Sequence, residues 1–314
     1  MTLPPTVVLA ACLLAGGLVG RVIHRSGLTL DGMIRGAALT GELAAFQAWL
    51  LAAALLWLAA AVLEAGPWAP LAAPAGPGPV AALIGGLAGG LAVSILADDP
   101  VTLVLDAGRT RVPAITALLA WGGGVVAGTA GPLALLLEGL RRAGPAELRD
   151  MALGDLLLVP RWVLPAAAGI AALLYLIRQP VVVRSGGMEW PRAGGGLAVA
   201  AAVVWLVGGG RAMIALGLAA YGLRVARNRD GWWPGGMPAW PALAIRTAGG
   251  FVLGLVTALV AADPASRFLP GLARWNVGGV IFATSFGCGA YLMALLEWKM
   301  RGRPGAAPDL GRGV

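Results

Sequence analysis

Two stretches decide how this chain folds: GGLAGGLAVSILADDP at residues 85–100 and GGFVLGLVTALVAADP at residues 249–264. They align without a gap, so that Gly85, Gly86, Gly90, Asp99 and Pro100 fall on Gly249, Gly250, Gly254, Asp263 and Pro264. Each is a run of apolar and small residues that stops at Asp-Pro. Proline lacks the backbone donor a helix needs and biases the residue before it away from helix, so each run is expected to break at its aspartate. Glycines four apart lie on one helix face and let a second backbone approach closely, which is how helices associate where lipid removes the hydrophobic drive. Both units continue through a further apolar span and close alike, as ALLLEGLRRAGP from Ala134 and ALLEWKMRGRPG from Ala294. The pattern predicts two related halves.

Composition places those halves in a membrane. Hydrophobic residues make up 59% of the 314, charged residues 12%, and the mean hydropathy is +0.82, far from the soluble average. The fold class expected is all-α, a polytopic transmembrane bundle of about 8–10 spans, because a hydrocarbon core of roughly 30 Å needs roughly 20 apolar residues per helix and such runs recur along the chain. The spans read as about 5–23, 43–63, 80–97, 112–140, 163–177, 195–222, 241–261 and 276–296. Gly131-Pro132 predicts a break in the long 112–140 run, and Gly208-Gly209-Gly210 with Arg211 divides 195–222. Residues 1–142 then form the first half, 143–162 a polar connecting loop, 163–303 the second half and 304–314 a disordered tail. The run from Thr6 to Val22 lacks the basic start of a signal peptide and reads as a retained first helix.

The net charge of +8 and pI of 10.9 come from short cationic clusters between apolar spans, such as Arg141-Arg142, Arg224 to Arg229 and Lys299 to Arg303. That distribution fits anionic lipid headgroups rather than nucleic acid. The cation-free connector 64–79 argues for an outer face, whereas residues 141–149, 224–229 and 299–303 argue for a cytoplasmic one, and strictly alternating crossings cannot satisfy all of them. A cytoplasmic C-terminus in a cell (inner) membrane is the expectation. Cys12 and Cys288 lie within apolar spans without metal-ligand spacing, and the one histidine, His24, sits between Arg21 and Arg25 as an interfacial residue. No HExxH, Walker lysine or GxSxG motif occurs, so neither an enzyme nor a bound metal or cofactor is expected.

After each Asp-Pro comes a short half-apolar piece, VTLVLDAGRTR or ASRFLPGLARW, and a third, RSGLTLDGMIRG, follows the first span from Arg25. These are candidate re-entrant segments, which lipid tolerates only when protein covers them or an aqueous cavity adjoins them. A carboxylate there needs a cation, and Arg109, Arg111, Arg267 and Arg274 are the partners nearest in sequence. Asp99 and Asp263 read equally as helix caps at a membrane surface or as members of a transport pathway.

These residues together give the chain a resemblance to the YeeE/YedE membrane family, whose members take up thiosulfate or related sulfur compounds. RSGLTLDGMIR from Arg25 to Arg35 is similar to the family's Arg-Ser-x-Phe-Cys-Phe segment with its following Arg, and the Gly85 and Gly249 units are similar to its repeated Gly-rich helices ending in Gly-Cys. The resemblance implies a compact helical bundle with segments dipping toward its middle, and cysteines that hand the sulfur compound inward through thiol contacts. Placed residue by residue, those cysteines fall at Thr29, Asp99 and Asp263, none of which is a thiol. Threonine and aspartate make no persulfide, and a carboxylate repels a divalent anion. The candidate pathway residues are therefore Thr29, Asp99, Asp263, Arg25, Ser26 and Arg35, with Gly85, Gly86, Gly90, Gly249, Gly250 and Gly254 as helix-packing positions. Two functions follow: a membrane transporter or channel for a small solute that lacks the thiol relay, or a non-transporting subunit that anchors membrane partners.

Overall fold

A computed structural model describes residues 5–37, 41–65, 78–96, 100–149, 151–179, 189–207, 211–227, 240–260 and 275–301. Asp99, Asp263, Arg267, Arg274 and the tail 304–314 lie outside them. The described elements are helical: α1 (Pro5–Ser26), α2 (Leu30–Arg35), α3 (Ala44–Ala65), α4 (Pro79–Leu96), α5 (Pro100–Gly108), α6 (Val112–Thr129), α7 (Ala134–Arg142), α8 (Leu153–Leu156), α9 (Val163–Ile177), α10 (Trp190–Val207), α11 (Arg211–Arg227), α12 (Trp240–Val260) and α13 (Val277–Arg301). Among the described residues, six helical stretches are long and apolar enough to cross a membrane, in α1, α3, α4 with α5, α6, α12 and α13. The chain is a multi-pass membrane protein.

Side-chain size is sorted in the manner lipid demands. Small residues fill the interior, with Ala48, Ala54, Ala81, Ala82, Ala92 and Ala117 fully buried, while Leu14, Val62, Leu119, Leu174 and Ile177 point outward. In water that arrangement would expose a ruinous apolar area; in hydrocarbon it costs nothing, and close backbone packing supplies the cohesion. The break predicted at Gly131-Pro132 separates α6 from α7, since Pro132 cannot donate and Gly131 folds back over Ala127. The run at 195–222 is likewise two helices, α10 and α11.

The six glycines singled out by sequence all lie buried at helix crossings. On α4, a Cβ at Gly86 or Gly90 would collide with the Phe282 or Phe286 carbonyl oxygen of α13. On α12, a Cβ at Gly250 or Gly254 would collide with the Ala117 or Trp121 carbonyl oxygen of α6. The reverse contacts match too, because Gly289 of α13 abuts the Leu87 carbonyl and Gly124 of α6 abuts the Phe251 carbonyl. In both pairs the contacts advance in the same direction along the two chains, so α4 runs parallel to α13 and α12 parallel to α6. Between the pairs the order reverses: Gly85 faces Val260 and Leu259, Gly89 faces Val256, and Gly249 faces Leu96 and Ile95. Helices α4 and α12 are therefore antiparallel and cross near Gly90 and Gly254.

The connecting segment 143–162 is less polar than its sequence reading. Leu156, Leu157 and Leu158 are all exposed at its tip, Leu158 at positive φ, and Trp162 is exposed beyond them. Asp155 organises the segment: its carboxylate takes two bonds from Arg161, at 2.9 and 2.8 Å, and one from the Ala152 amide at 3.3 Å. The adjoining Leu153 amide donates to the Trp275 carbonyl (2.7 Å) and the Val277 amide to that of Met151 (3.0 Å), tying the loop to the start of α13. Gly144 packs on Pro79, so this segment and the start of α4 share one end of the bundle, opposite the C-terminal end of α13.

Two outcomes check this architecture. Gly90→Ala and Gly254→Ala should each cost about 1–3 kcal/mol, read as a lower Tm in detergent, because the added methyl has no room beside a carbonyl. Gly123→Ala, with nothing within 4 Å of the new methyl, should leave Tm unchanged or slightly raised. The Arg161 guanidinium holds the Asp155 carboxyl below its ordinary value of 3.8, so its contribution is present above that pH and lost as pH falls through the depressed native value. Acid titration of Asp155→Asn should accordingly show a smaller loss of stability below about pH 4 than the parent.

Candidate functional site

The chemistry nearest the crossing of α4 and α12 belongs to two arginines. Pro100 and Pro264 have no amide hydrogen to give the carbonyls of Leu96 and Val260 four residues earlier, so the helical ladder is cut there by the sequence itself. Just ahead of the first cut, Arg35 at the end of α2 donates from Nη2 to the Ser94 carbonyl at 2.9 Å. Just ahead of the second, Arg141 of α7 donates from Nε to the Leu259 carbonyl at 3.4 Å and from Nη2 to that of Ala258. A guanidinium suits the carbonyl end of a helix because the backbone dipole is negative there. The Ser94 hydroxyl, for its part, donates to the Ala290 carbonyl of α13 at 3.3 Å.

Arg141 and Arg142 also hold Glu138, at 3.1 and 2.9 Å. Arg141 is turned onto α12 rather than spread over headgroups, so it is a poor marker of the cytoplasmic face, and the loop it belongs to shares its end of the bundle with the start of α4.

A second cluster lies on α5. Asp106 is buried, with its two oxygens taken by Arg109 (2.8 Å) and Arg111 (2.9 Å). Both arginines bond the carboxylate three and five residues before them, and the tight turn through Thr110, at φ 60, folds their side chains back onto it; a contact with Asp99 lies outside the described residues. Arg109 Nη2 also meets His24 Nδ1 of α1. The His24 ring stands edge-on to Tyr221 of α11, with centroids 6.2 Å apart, so one interfacial cluster joins α1, α5 and α11.

The remaining predicted residues separate. Arg25 is exposed at the end of α1. Ser26 is buried but occupied locally, donating to the Val22 carbonyl (2.7 Å) and accepting from the Leu28 amide (3.3 Å). Thr29 caps α2, its hydroxyl accepting from the Gly32 amide at 3.0 Å. Of this N-terminal group only Arg35 reaches toward the helix crossing, while Asp99 and Asp263 fall outside the described residues. Sequence reasoning passed over Arg141 and Asp106. The first carried no signal in its local sequence; the second did, as an acid three residues before an arginine on a short helix.

Among the described residues no group of three or more His, Cys, Asp or Glu side chains is placed to hold a metal ion. No protein-family model and no curated protein matches the chain.

Asp106→Asn should destabilise the protein by on the order of 2–3 kcal/mol, less than breaking a fully buried pair because Arg111 still reaches water. An unchanged Tm for this variant would mean that the cluster contributes nothing to holding α5.

Proposed function

We propose that the chain is a membrane transporter for a small solute, built on a scaffold of the YeeE/YedE kind. The observation that carries this reading is the antiparallel pair α4 and α12, whose glycines meet α13 and α6 through matched contacts. Inverted repeats with interrupted helices are the architecture in which transporters place a solute site near the midplane. The Asp-Pro cuts at corresponding positions and the half-buried arginines beside them supply the interruption and the charge that such a site uses.

Thiosulfate or a related sulfur compound is the solute that the resemblance implies, and the guanidinium groups of Arg35 and Arg141 favour an anion over a cation. The thiol relay is absent, since Thr29, Asp99 and Asp263 stand at the cysteine positions, so passage would rest on charge and hydrogen bonding. The C-terminal end of α13, with Lys299 and Arg301, is assigned to the cytoplasmic face.

The second reading, a non-transporting subunit that anchors partners, is favoured by the core hydroxyls. Ser94, Ser285 and Thr257 all donate to backbone carbonyls instead of presenting themselves to a solute. Purified protein in proteoliposomes decides between the two. Saturable uptake of radiolabelled thiosulfate above protein-free vesicles, reduced in Arg35→Gln, is the expected result. No flux of sulfur anions or of small cations, together with a stoichiometric partner on mild purification, would overturn transport in favour of the anchor.

A further inference from the structure

Arg35 and Arg141 come from unrelated places in the chain, yet they bond equivalent atoms. The Ser94 and Ala258 carbonyls stand 164 positions apart, the same separation as Gly85 and Gly249, Asp99 and Asp263, or Pro100 and Pro264. Each arginine thus grips the same turn of its own glycine helix, a few residues ahead of the same cut in the helical ladder. We infer that the two form a matched pair of seals, each keeping water from the last turn of one helix and the two facing opposite sides of the membrane.

Position along the helices carries the argument. Because Gly85 is level with Val260 and Gly249 with Leu96, the antiparallel pair has its centre between residues 90 and 91 of α4 and between 254 and 255 of α12. At 1.5 Å per residue, Ser94 and Ala258 each lie about 5 Å from that centre, on opposite sides of it. If the two halves are inverted repeats, their axis lies in the membrane plane. Both grips are then well inside a hydrocarbon core of about 30 Å, where an arginine is expensive and is retained for a function.

The turns beside these contacts are dry. Leu96 and Val260, the last described residues of the two helices, are both buried, as are Val93 and Leu259 beside them. The Ser94 and Ala258 carbonyls each take a guanidinium proton, and water is the donor that would replace it. Holding the guanidinium in place excludes the water, and releasing it admits water from the nearer face alone. For α4 that is the face at the C-terminal end of α13; for α12 it is the face at the start of α4. Nothing about helix stability alone requires the two contacts to fall on equivalent atoms.

The inference deepens the transport reading by assigning one access route to each face, and its test needs no solute. In a background with Cys12 and Cys288 replaced by alanine, Leu96→Cys and Val260→Cys are probed with a membrane-impermeant thiol reagent in right-side-out and inverted vesicles. Adding Arg35→Gln should raise labelling of the first cysteine by about tenfold, the population shift expected on losing a charge-assisted bond, from the face of the α13 C-terminus only. Adding Arg141→Gln should do the same for the second cysteine from the opposite face. Arg35→Lys and Arg141→Lys, which keep a cationic donor, should stay close to the parent and guard against misfolding as the cause.

Labelling of both cysteines from one face, or unchanged labelling in glutamine variants that remain monodisperse, would overturn the paired seals. Asymmetric labelling in a protein that moves no solute would support the seals while removing the transport reading. Uptake without asymmetric labelling would do the opposite.

Discussion

The rest of the structure depends on how closely four backbones approach. At Gly86, Gly90, Gly250 and Gly254 the neighbouring helix's carbonyl oxygens occupy the space in which any other residue would carry a Cβ. In water, burial of large side chains would reward such packing; in lipid that reward vanishes, and dispersion between close backbones takes its place. This is why small residues recur at the helix crossings and many large aliphatic side chains point outward. It also explains why four helices, α4 with α13 and α12 with α6, make one tight unit.

Where backbones touch, at these glycines, no side chain lies between the helices to yield. Adjustment is left to the places where the helical ladder is already cut, ahead of Pro100 and Pro264, and to the arginines that grip the turns before those cuts. The polar chemistry of the bundle is sorted accordingly. Near the crossing stand two guanidiniums on carbonyl oxygens; at the end of α5 stands a denser cluster of Asp106, Arg109, Arg111 and His24, which secures a short helix between longer ones. The first arrangement borrows charge from distant segments to serve the backbone, while the second satisfies its own charges locally.

The functional reading follows from that sorting. A cation placed in lipid is retained where it does something that an apolar residue could not. Arg35 and Arg141 lie too far apart in sequence to be kept by one local motif, and their shared relation to the two glycine helices is the observation on which the proposed transport role draws. Thr29, Asp99 and Asp263 carry no thiol, so for the proposed solute charge is the means by which it would be selected.

Much of the fold was legible in the sequence because its signals are local. Apolar runs of membrane length, Gly131-Pro132 between α6 and α7, and glycines at four-residue spacing each act within a turn or two of helix, so residue type and spacing suffice to read them. Asp106 also lay within reach of that reasoning, since its arginines follow it by three and five positions. The direction in which α4 passes α12 was not legible, nor was the reach of Arg141 to carbonyls more than a hundred residues away, nor the meeting of His24 with Arg109. Those depend on which faces meet after the chain has turned several times. A guanidinium at the end of a long side chain bonds whichever carbonyl the packing brings to it, so the sequence determined where the helices break, and only the tertiary structure decided which arginine answers each break.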